Sequence, residues 1–260
     1  MKHTNNRLPE IHSSDRVSHP SIGIIGFGKF TELILTIFKE FIPEVQVKIA
    51  SRSQEIDNKL FFSFEEVCSC DYIIPSVPIS AFEETIEKML PIMNVNAKVI
   101  DVCSIKMHPK KVMLEKLPET CEIICTHPNF GPESYRLNNY SAKGLNFIIE
   151  FVRCSKATEK QVSSFLEKLG VNLILLDAES HDQKVGVPHF ISMLLGILLN
   201  RLEITRTPYG AASTQRMFDM VEGVGKDFGI LQDMYRYNPF CKAVLKNVRK
   251  KFGVIVSEIE

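Results

Sequence analysis

Hydrophobic positions along the chain alternate between short β-branched runs and longer stretches in which apolar residues recur every three or four positions. The short runs predict seven strands, at 21–25, 45–50, 72–74, 99–103, 123–125, 146–150 and 173–176. The longer stretches predict helices among them, at 29–41, 81–90, 110–117 and 158–169. Strands separated by single helices indicate right-handed parallel crossovers, so we predict an α/β fold with a doubly wound, Rossmann-type parallel sheet.

The pattern changes after Asp177, where strand signals stop. Helices are predicted from there on, at 189–202, 213–224, 229–235 and 240–257. The first of them is apolar nearly all round and must be buried, which a small domain of roughly 80 residues cannot easily achieve alone. We therefore predict a disordered tail over residues 1–20, an α/β domain over 21–178, and an all-helical domain over 179–260 through which a homodimer forms.

Composition limits the partners of the chain. Lys+Arg 31 balances Asp+Glu 31, and no basic block with spaced aromatics is present, so we predict no nucleic-acid partner. The seven cysteines suit the reduced thiols of a cytoplasm, or of a plastid if the source is a plant or alga, and Cys68 with Cys70 lacks the second pair of a zinc site. The polar N-terminus has no secretory core, and the apolar run 190–199 is too short to cross a bilayer. We expect no metal and no membrane contact.

A glycine turn follows the first predicted strand and leads into the first helix. Such a turn brings backbone N–H groups at a helix N-terminus to a pyrophosphate, although an ordinary βα turn is the alternative. Thr31 takes the third glycine position of the dinucleotide fingerprint, which predicts slightly wider packing of helix on strand. The predicted contacts are Gly26, Phe27, Gly28, Lys29 and Phe30.

The end of the second strand indicates which dinucleotide binds. An NAD site carries a carboxylate there, whereas this chain has Ser51, Arg52 and Ser53, a guanidinium and two hydroxyls suited to a 2′-phosphate. This favours NADP, with NAD and a merely solvated arginine as alternatives. The residues after the third strand are predicted to border the nicotinamide: Ser76, Val77 and Pro78.

His127 is the candidate catalytic centre. It follows a buried strand within Thr-His-Pro-Asn-Phe-Gly-Pro-Glu-Ser, at the edge where an open α/β sheet binds its ligand. Ser104, after the fourth strand, should point into the same crevice and fix the imidazole tautomer by a hydrogen bond. The nearby Lys106 is interpreted as a surface lysine, and a histidine that only caps its strand is the alternative for His127.

These motifs together resemble the prephenate and arogenate dehydrogenases of tyrosine biosynthesis, including the plant-type arogenate enzymes. The resemblance rests on Gly-Phe-Gly, Ser-Arg-Ser, Ser-Ile-Lys, the histidine block and the later His181-Asp182-Gln183, and it runs from residue 21 into the C-terminal helices. It implies oxidative decarboxylation of a small cyclohexadienol substrate. His127 would take a hydrogen bond from the ring hydroxyl as hydride leaves the same carbon for the nicotinamide and carbon dioxide departs.

The resemblance also implies substrate contacts in the second half of the chain. Met193 stands where the family usually has another histidine, and His189 lies four residues earlier. The predicted substrate contacts are Gly131, His189, Asp182 and Arg216, with Lys226 a weaker choice than Arg216 for a carboxylate. Asp182 would pair with the amine of arogenate if it faces the crevice. Two rival functions stay open: a catalytically silent dinucleotide-binding sensor or scaffold, and a Rossmann reductase of another small substrate, such as an imine or β-hydroxyacid.

Overall fold

The fold is built on one twisted sheet with helices on both faces. The computed structural model describes residues 19–223 and 227–260. In that part of the chain each predicted strand is present, and the strands lie in the order β2-β1-β3-β4-β5-β6-β7. Their bounds are β1 Ile22–Ile25, β2 Val47–Ala50, β3 Tyr72–Pro75, β4 Lys98–Asp101, β5 Glu122–Pro128, β6 Asn146–Arg153 and β7 Asn172–Leu175.

Helices cover the sheet, and every regular element of the described chain after β7 is helical. Their bounds are α1 Lys29–Phe41, α2 Phe64–Cys68, α3 Ile79–Met89, α4 Met107–Lys116, α5 Pro132–Leu137, α6 Lys156–Leu169, α7 Ala178–His181, a π-helical turn Asp182–Gly186, α8 Val187–Arg201, α9 Ala212–Gly223, α10 Phe228–Tyr237 and α11 Pro239–Ile259. The predicted α/β sheet followed by helices is confirmed. None of the described helices has the length and apolarity that a membrane span needs. Residues 1–18 of the predicted tail, and the predicted helix end at Val224, lie outside the described residues.

The direction of β6 corrects the prediction of a fully parallel sheet. β6 runs antiparallel to β5, and β7 is parallel to β6. The connection from β5 to β6 contains only the six-residue α5 and a turn with positive φ at Asn139 and Tyr140, so it has no helix long enough for a crossover. Pairing with β6 also extends β5 beyond its predicted end through His127 and Pro128. His127 is therefore held in a strand ladder rather than in the following loop.

The largest hydrophobic core joins one face of the sheet to the C-terminal helices. It contains β-strand residues such as Ile73 and Ile123, together with Phe190 and Met193 of α8. Phe190 is almost fully buried, which contributes about 1.5–3 kcal/mol relative to exposure. α8 thus packs one side against the sheet of its own chain, and Met193 is a core residue. This packing brings the start of α8 to the carboxyl edge of the strands.

The sheet has a switch point between β1 and β3. The chain moves in opposite directions from these two neighbouring strands, which opens a crevice beyond their carboxyl ends. Two backbone hydrogen bonds connect the strand ends there: Gly26 N–H donates to Ala50 O at 2.8 Å, and Ser76 N–H donates to Ile25 O at 2.8 Å. The loops after β1, β2 and β3 therefore share one edge of the sheet.

Candidate active site

The glycine turn after β1 has the geometry of a phosphate cradle. Gly26 has φ of 105°, and a Cβ there would lie 2.2 Å from the carbonyl oxygen of Ser76, so only glycine fits. Gly28 caps the N-terminus of α1, and a Cβ on it would meet no heavy atom within 4 Å. The fully buried Thr31 donates its hydroxyl to Gly26 O at 3.1 Å and lies 2.9 Å from Ser76 Oγ. The turn therefore leaves open space in front of a helix N-terminus, which fits a pyrophosphate.

The other predicted cofactor residues lie around this crevice. Phe27 packs edge-on against Phe61, with ring centroids 5.1 Å apart, whereas Lys29 is exposed and Phe30 is half-buried. Arg52 is exposed, and the hydroxyls of Ser51 and Ser53 lie 3.0 Å apart. After β3 come Ser76 and Val77, both half-buried, and the exposed Pro78. A guanidinium and two hydroxyls are thus available at the end of β2.

His127 lies among other histidines at the end of β5. It is only 5% exposed, and its Nδ1 lies 2.9 Å from Nε2 of His181. The ring of His189 approaches nearly perpendicular, with centroids 6.4 Å apart. Burial lowers the pKa of His127 well below its usual value, and His181, Lys106 and His189 lower it further. His127 is therefore a neutral imidazole at neutral pH, with Nε2 as the ring nitrogen left for a ligand.

The predicted hydrogen bond between Ser104 and His127 is not formed in the described residues. Ser104 is half-buried in the connection between β4 and α4, and His181 bonds the His127 ring instead. His181 belongs to a predicted motif but had no predicted role. Its contact with His127 arises because α7 folds back over the end of β5, and no local pattern around residue 181 indicates this.

Asp182 is turned away from the crevice, contrary to its predicted contact with a substrate amine. It is fully buried, and its Oδ1 accepts hydrogen bonds from the backbone N–H of Lys106 at 2.6 Å and from His181 Nδ1 at 2.9 Å. Its Oδ2 accepts from Met107 N–H at 3.0 Å. Because the carboxylate is fully buried and bonded to these interior donors, Asp182 serves the interior of the site and is not exposed to a substrate.

Lys106 is buried rather than on the surface as predicted. It is 2% exposed, forms an ion pair with Asp101, and donates from Nζ to the carbonyl oxygen of Thr126 at 2.5 Å. Burial opposes its charge, but the neighbouring groups, with the Asp101 carboxylate first among them, together outweigh that effect and raise the pKa of Lys106. Asp101 ends β4 and Lys106 follows five residues later as the N-cap of α4, so the signal in the sequence was an acidic and a basic residue close together after one strand. The pair fixes the backbone next to His127.

The remaining predicted substrate contacts are less well defined. Gly131 caps α5 and has open space around it, so a ligand can approach its backbone. Arg216 is exposed on α9 and makes no hydrogen bond or ion pair with another described residue. Lys226 lies outside the described residues. The described part of the chain therefore assigns no side chain to a substrate carboxylate.

Comparison with known proteins agrees with this geometry. The model of the family described as "Prephenate dehydrogenase, nucleotide-binding domain" matches residues 43–175, just over half of the chain. Arogenate dehydrogenase 1, chloroplastic, from Arabidopsis thaliana is 26% identical over 267 residues, which cover 97% of this chain and 41% of that protein. A probable arogenate/prephenate dehydrogenase of Methanocaldococcus jannaschii is 28% identical, with 94% and 54% covered. The chain thus spans about half the length of these relatives or less.

Solved structures share the fold. Prephenate dehydrogenase from Aquifex aeolicus, in complex with hydroxyphenyl propionate and NAD⁺, superposes with a TM-score of 0.64 at 18% identity. The match covers 94% of this chain and 93% of that one. At this identity the structural similarity shows only that the sheet and the helices are arranged alike. The match to the family model is a match of sequence, and it shows that the chain belongs to the prephenate dehydrogenase family.

Proposed function

We propose that the protein catalyses the NADP-dependent oxidative decarboxylation of arogenate or prephenate, giving tyrosine or 4-hydroxyphenylpyruvate. The observation that carries the proposal is His127, a buried neutral imidazole whose Nδ1 is bonded to His181. It lies at the same sheet edge as the open glycine turn after β1. The relatives named as arogenate and prephenate dehydrogenases support the substrate class.

His127 would act as a hydrogen-bond acceptor and a transient proton holder. Its Nε2 accepts the hydrogen of the ring hydroxyl as the C–H bond on the same carbon breaks. The electron pair of the C–H bond leaves as hydride, the carboxylate departs as carbon dioxide, and the ring becomes aromatic. Substrate loses one hydride and one carbon dioxide without net loss of a proton, so His127 can return its proton to the phenol oxygen. A neutral imidazole with a low pKa suits this exchange.

The cleft fits a nicotinamide dinucleotide. The α1 N-terminus would hold the pyrophosphate, Ser51, Arg52 and Ser53 would hold the 2′-phosphate of NADP, and Ser76 to Pro78 would border the nicotinamide. The dinucleotide, when bound, supplies the hydride acceptor. NAD is the alternative cofactor, since the Aquifex aeolicus relative is described with NAD⁺. Aromatisation already makes the reaction thermodynamically favourable. The protein would therefore act mainly by positioning the hydride donor and the hydride acceptor and by excluding water.

Two glycine variants separate folding from cofactor binding. Gly26→Ala should lower the free energy of unfolding by about 1–3 kcal/mol, because its φ is positive and its methyl would meet Ser76 O. Gly28→Ala should leave stability nearly unchanged, because its Cβ enters open space, yet weaken dinucleotide binding about tenfold or more by occupying the cradle. Urea unfolding and calorimetric titration with NADP measure the two effects. Unchanged binding by Gly28→Ala would rule out this turn as the pyrophosphate site.

The cofactor preference depends on Arg52. Arg52→Ala removes a charge-assisted hydrogen bond to the 2′-phosphate, which corresponds to a rise in KM for NADP of about 10- to 100-fold. KM for NAD provides the internal control and should stay the same, because NAD lacks that phosphate. Initial rates with both cofactors give the result. An equal change for NAD and NADP would assign Arg52 a different role.

A homodimer would cover two apolar stripes on the C-terminal helices. Leu195, Leu198 and Leu202 are 41–58% exposed on one side of α8, and Phe252, Ile255 and Ile259 are 51–79% exposed on α11. Each set recurs at helical spacing, and such contiguous apolar surface marks an interface. Leu198→Glu should convert a dimer to a monomer in sedimentation equilibrium. Leu114→Glu, at a 42% exposed position on α4, is the matched control and should leave the dimer intact. A wild-type monomer would refute the interface.

The proposal is tested by identifying products after incubation of the purified protein with arogenate or prephenate and NADP. Formation of tyrosine or 4-hydroxyphenylpyruvate in equal amount to NADPH and carbon dioxide is expected. The sensor hypothesis predicts bound NADP without product. The reductase hypothesis predicts NADPH consumption with an imine or ketoacid and no reaction with cyclohexadienols.

A further inference from the structure

The carboxylate of Asp182 has a fixed hydrogen-bond polarity. Two of its donors are the backbone N–H groups of Lys106 and Met107, at 2.6 and 3.0 Å. A backbone amide can only donate, and these two open the N-terminus of α4, which favours a negative charge. Asp182 therefore accepts from every neighbour. Its third neighbour, His181 Nδ1 at 2.9 Å, must carry a proton.

The proton on His181 Nδ1 in turn determines which ring nitrogen of His127 carries a proton. If its only ring proton is on Nδ1, His181 has its lone pair on Nε2. That atom lies 2.9 Å from His127 Nδ1, which must then carry a proton of its own. His127 is left with its lone pair on Nε2, the ring nitrogen that makes no hydrogen bond to another described residue. The direction of donation in this series of hydrogen bonds is set at its buried end, because the backbone N–H groups that bind Asp182 can only donate.

The backbone around Asp182 is held from a second side. Asp182 opens the π-helical turn, and its carbonyl oxygen accepts from Val187 N–H and from Asn238 Nδ2 of the α11 N-cap at 2.9 Å. Gly186 permits this approach, because a Cβ there would lie 2.7 Å from Asn238 Nδ2. Single π-helical turns are rare and are found frequently at functional sites. α4 and α11 thus both fix the residue that begins the hydrogen-bond chain.

We propose that Asp182 and His181 are positioning residues that hold His127 in the Nδ1-protonated tautomer and so make Nε2 the hydrogen-bond acceptor of the site. The tautomer itself follows from the folded chain alone, whereas its catalytic use rests on the proposed function. This assignment gives His181 and Asp182 the role that the sequence suggested for Ser104, and it separates them from His189, which lies nearby without a hydrogen bond to His127 in the described residues.

Nitrogen-15 spectroscopy of ring-labelled histidine tests the tautomer without substrate or cofactor. The full-length protein at neutral pH should show His127 and His181 each with a proton on Nδ1 and a lone pair on Nε2. A proton on His127 Nε2, or a doubly protonated His181, would overturn the proposal because either reverses the donor direction. The wild-type spectrum decides this point even if a variant does not fold.

Two leucine variants show whether His181 sets the tautomer. In His181→Leu the His127 Nδ1 loses its partner, so the proton should move to Nε2, which an unconstrained histidine favours. His189→Leu is the matched control, because it removes a nearby half-buried histidine that makes no hydrogen bond to another described residue, and the His127 tautomer should stay as in wild type. An unchanged tautomer in His181→Leu would overturn the proposal.

Steady-state kinetics distinguish a positioning role of His181 from a merely structural one. His181→Leu should lower kcat about 10²- to 10⁴-fold while KM for NADP changes less than about twofold, because only the acceptor at the reacting hydroxyl is lost. Loss of NADP binding together with kcat would assign His181 a merely structural role. Wild-type protein that shows the expected tautomer but turns over neither substrate would refute the proposed function and leave the tautomer assignment intact.

Discussion

His127→Asn should lower kcat about 10²- to 10⁴-fold, the range for loss of a positioned acid–base group. Asparagine can still accept a hydrogen bond at the end of β5 but cannot take up a proton, so the ring hydroxyl would lose its base while hydride leaves. The Kd for NADP should not change, because the glycine turn after β1 is untouched. Steady-state rates and calorimetric titration measure the two quantities on the same preparation.

His108→Asn is the matched control for that variant. His108 is also a partly buried histidine with a pKa lowered by burial, but its ring stacks on that of Tyr237 at the end of α10, with centroids 4.3 Å apart. Its replacement should leave kcat near the wild-type value. Equal rates for His127→Asn and wild type would remove His127 from the chemistry and favour the interpretation of a histidine that only ends its strand.

Lys106→Met should lower the free energy of unfolding by about 3–5 kcal/mol, the cost of breaking a buried ion pair by removing one partner. Lys106 and Asp101 are 3% and 0% exposed in their side chains. Methionine has a similar length but leaves the Asp101 carboxylate without its counter-charge and the Thr126 carbonyl without its donor. Urea unfolding followed by circular dichroism measures the loss.

Lys110→Met supplies the comparison. Lys110, on α4, pairs with Glu150 of β6, but these side chains are 27% and 20% exposed, and solvent screens the pair. The expected loss of unfolding free energy is about 1 kcal/mol or less. If both variants lose the same small amount, the buried pair does not hold the end of β5.

The sequence predicted the long elements because their periodicity matches their burial. α1 lies over the predicted 29–41, and all strands are where β-branched runs occur. The short helices were missed for want of length, although Ser63 and Glu66 form a capping box that marks the start of α2. The direction of β6 could not be predicted from its own residues, since a parallel and an antiparallel strand have the same alternation and only the short connection distinguishes them.

The site residues likewise fall into those that local sequence motifs predict and those that depend on long-range contacts. The glycine turn and His127 follow from local motifs at strand ends, and those motifs also predicted the family. The roles of His181, Asp182 and Lys106 depend on contacts between residues up to 76 positions apart, such as the bond from Lys106 N–H to Asp182. Local patterning contains no signal for such contacts. Asp182 was therefore predicted to face a ligand, whereas tertiary packing turns it inward.

We propose that His127 serves a dinucleotide-dependent oxidation of a cyclohexadienol. The most direct test of this role is the rate of dinucleotide reduction by the purified protein, followed by ultraviolet absorbance, with arogenate or prephenate offered in turn with NADP or NAD. Turnover of at least one substrate, fastest with NADP, is the predicted result. NADP that binds tightly while neither substrate reacts would contradict it and identify the protein as a dinucleotide-binding sensor.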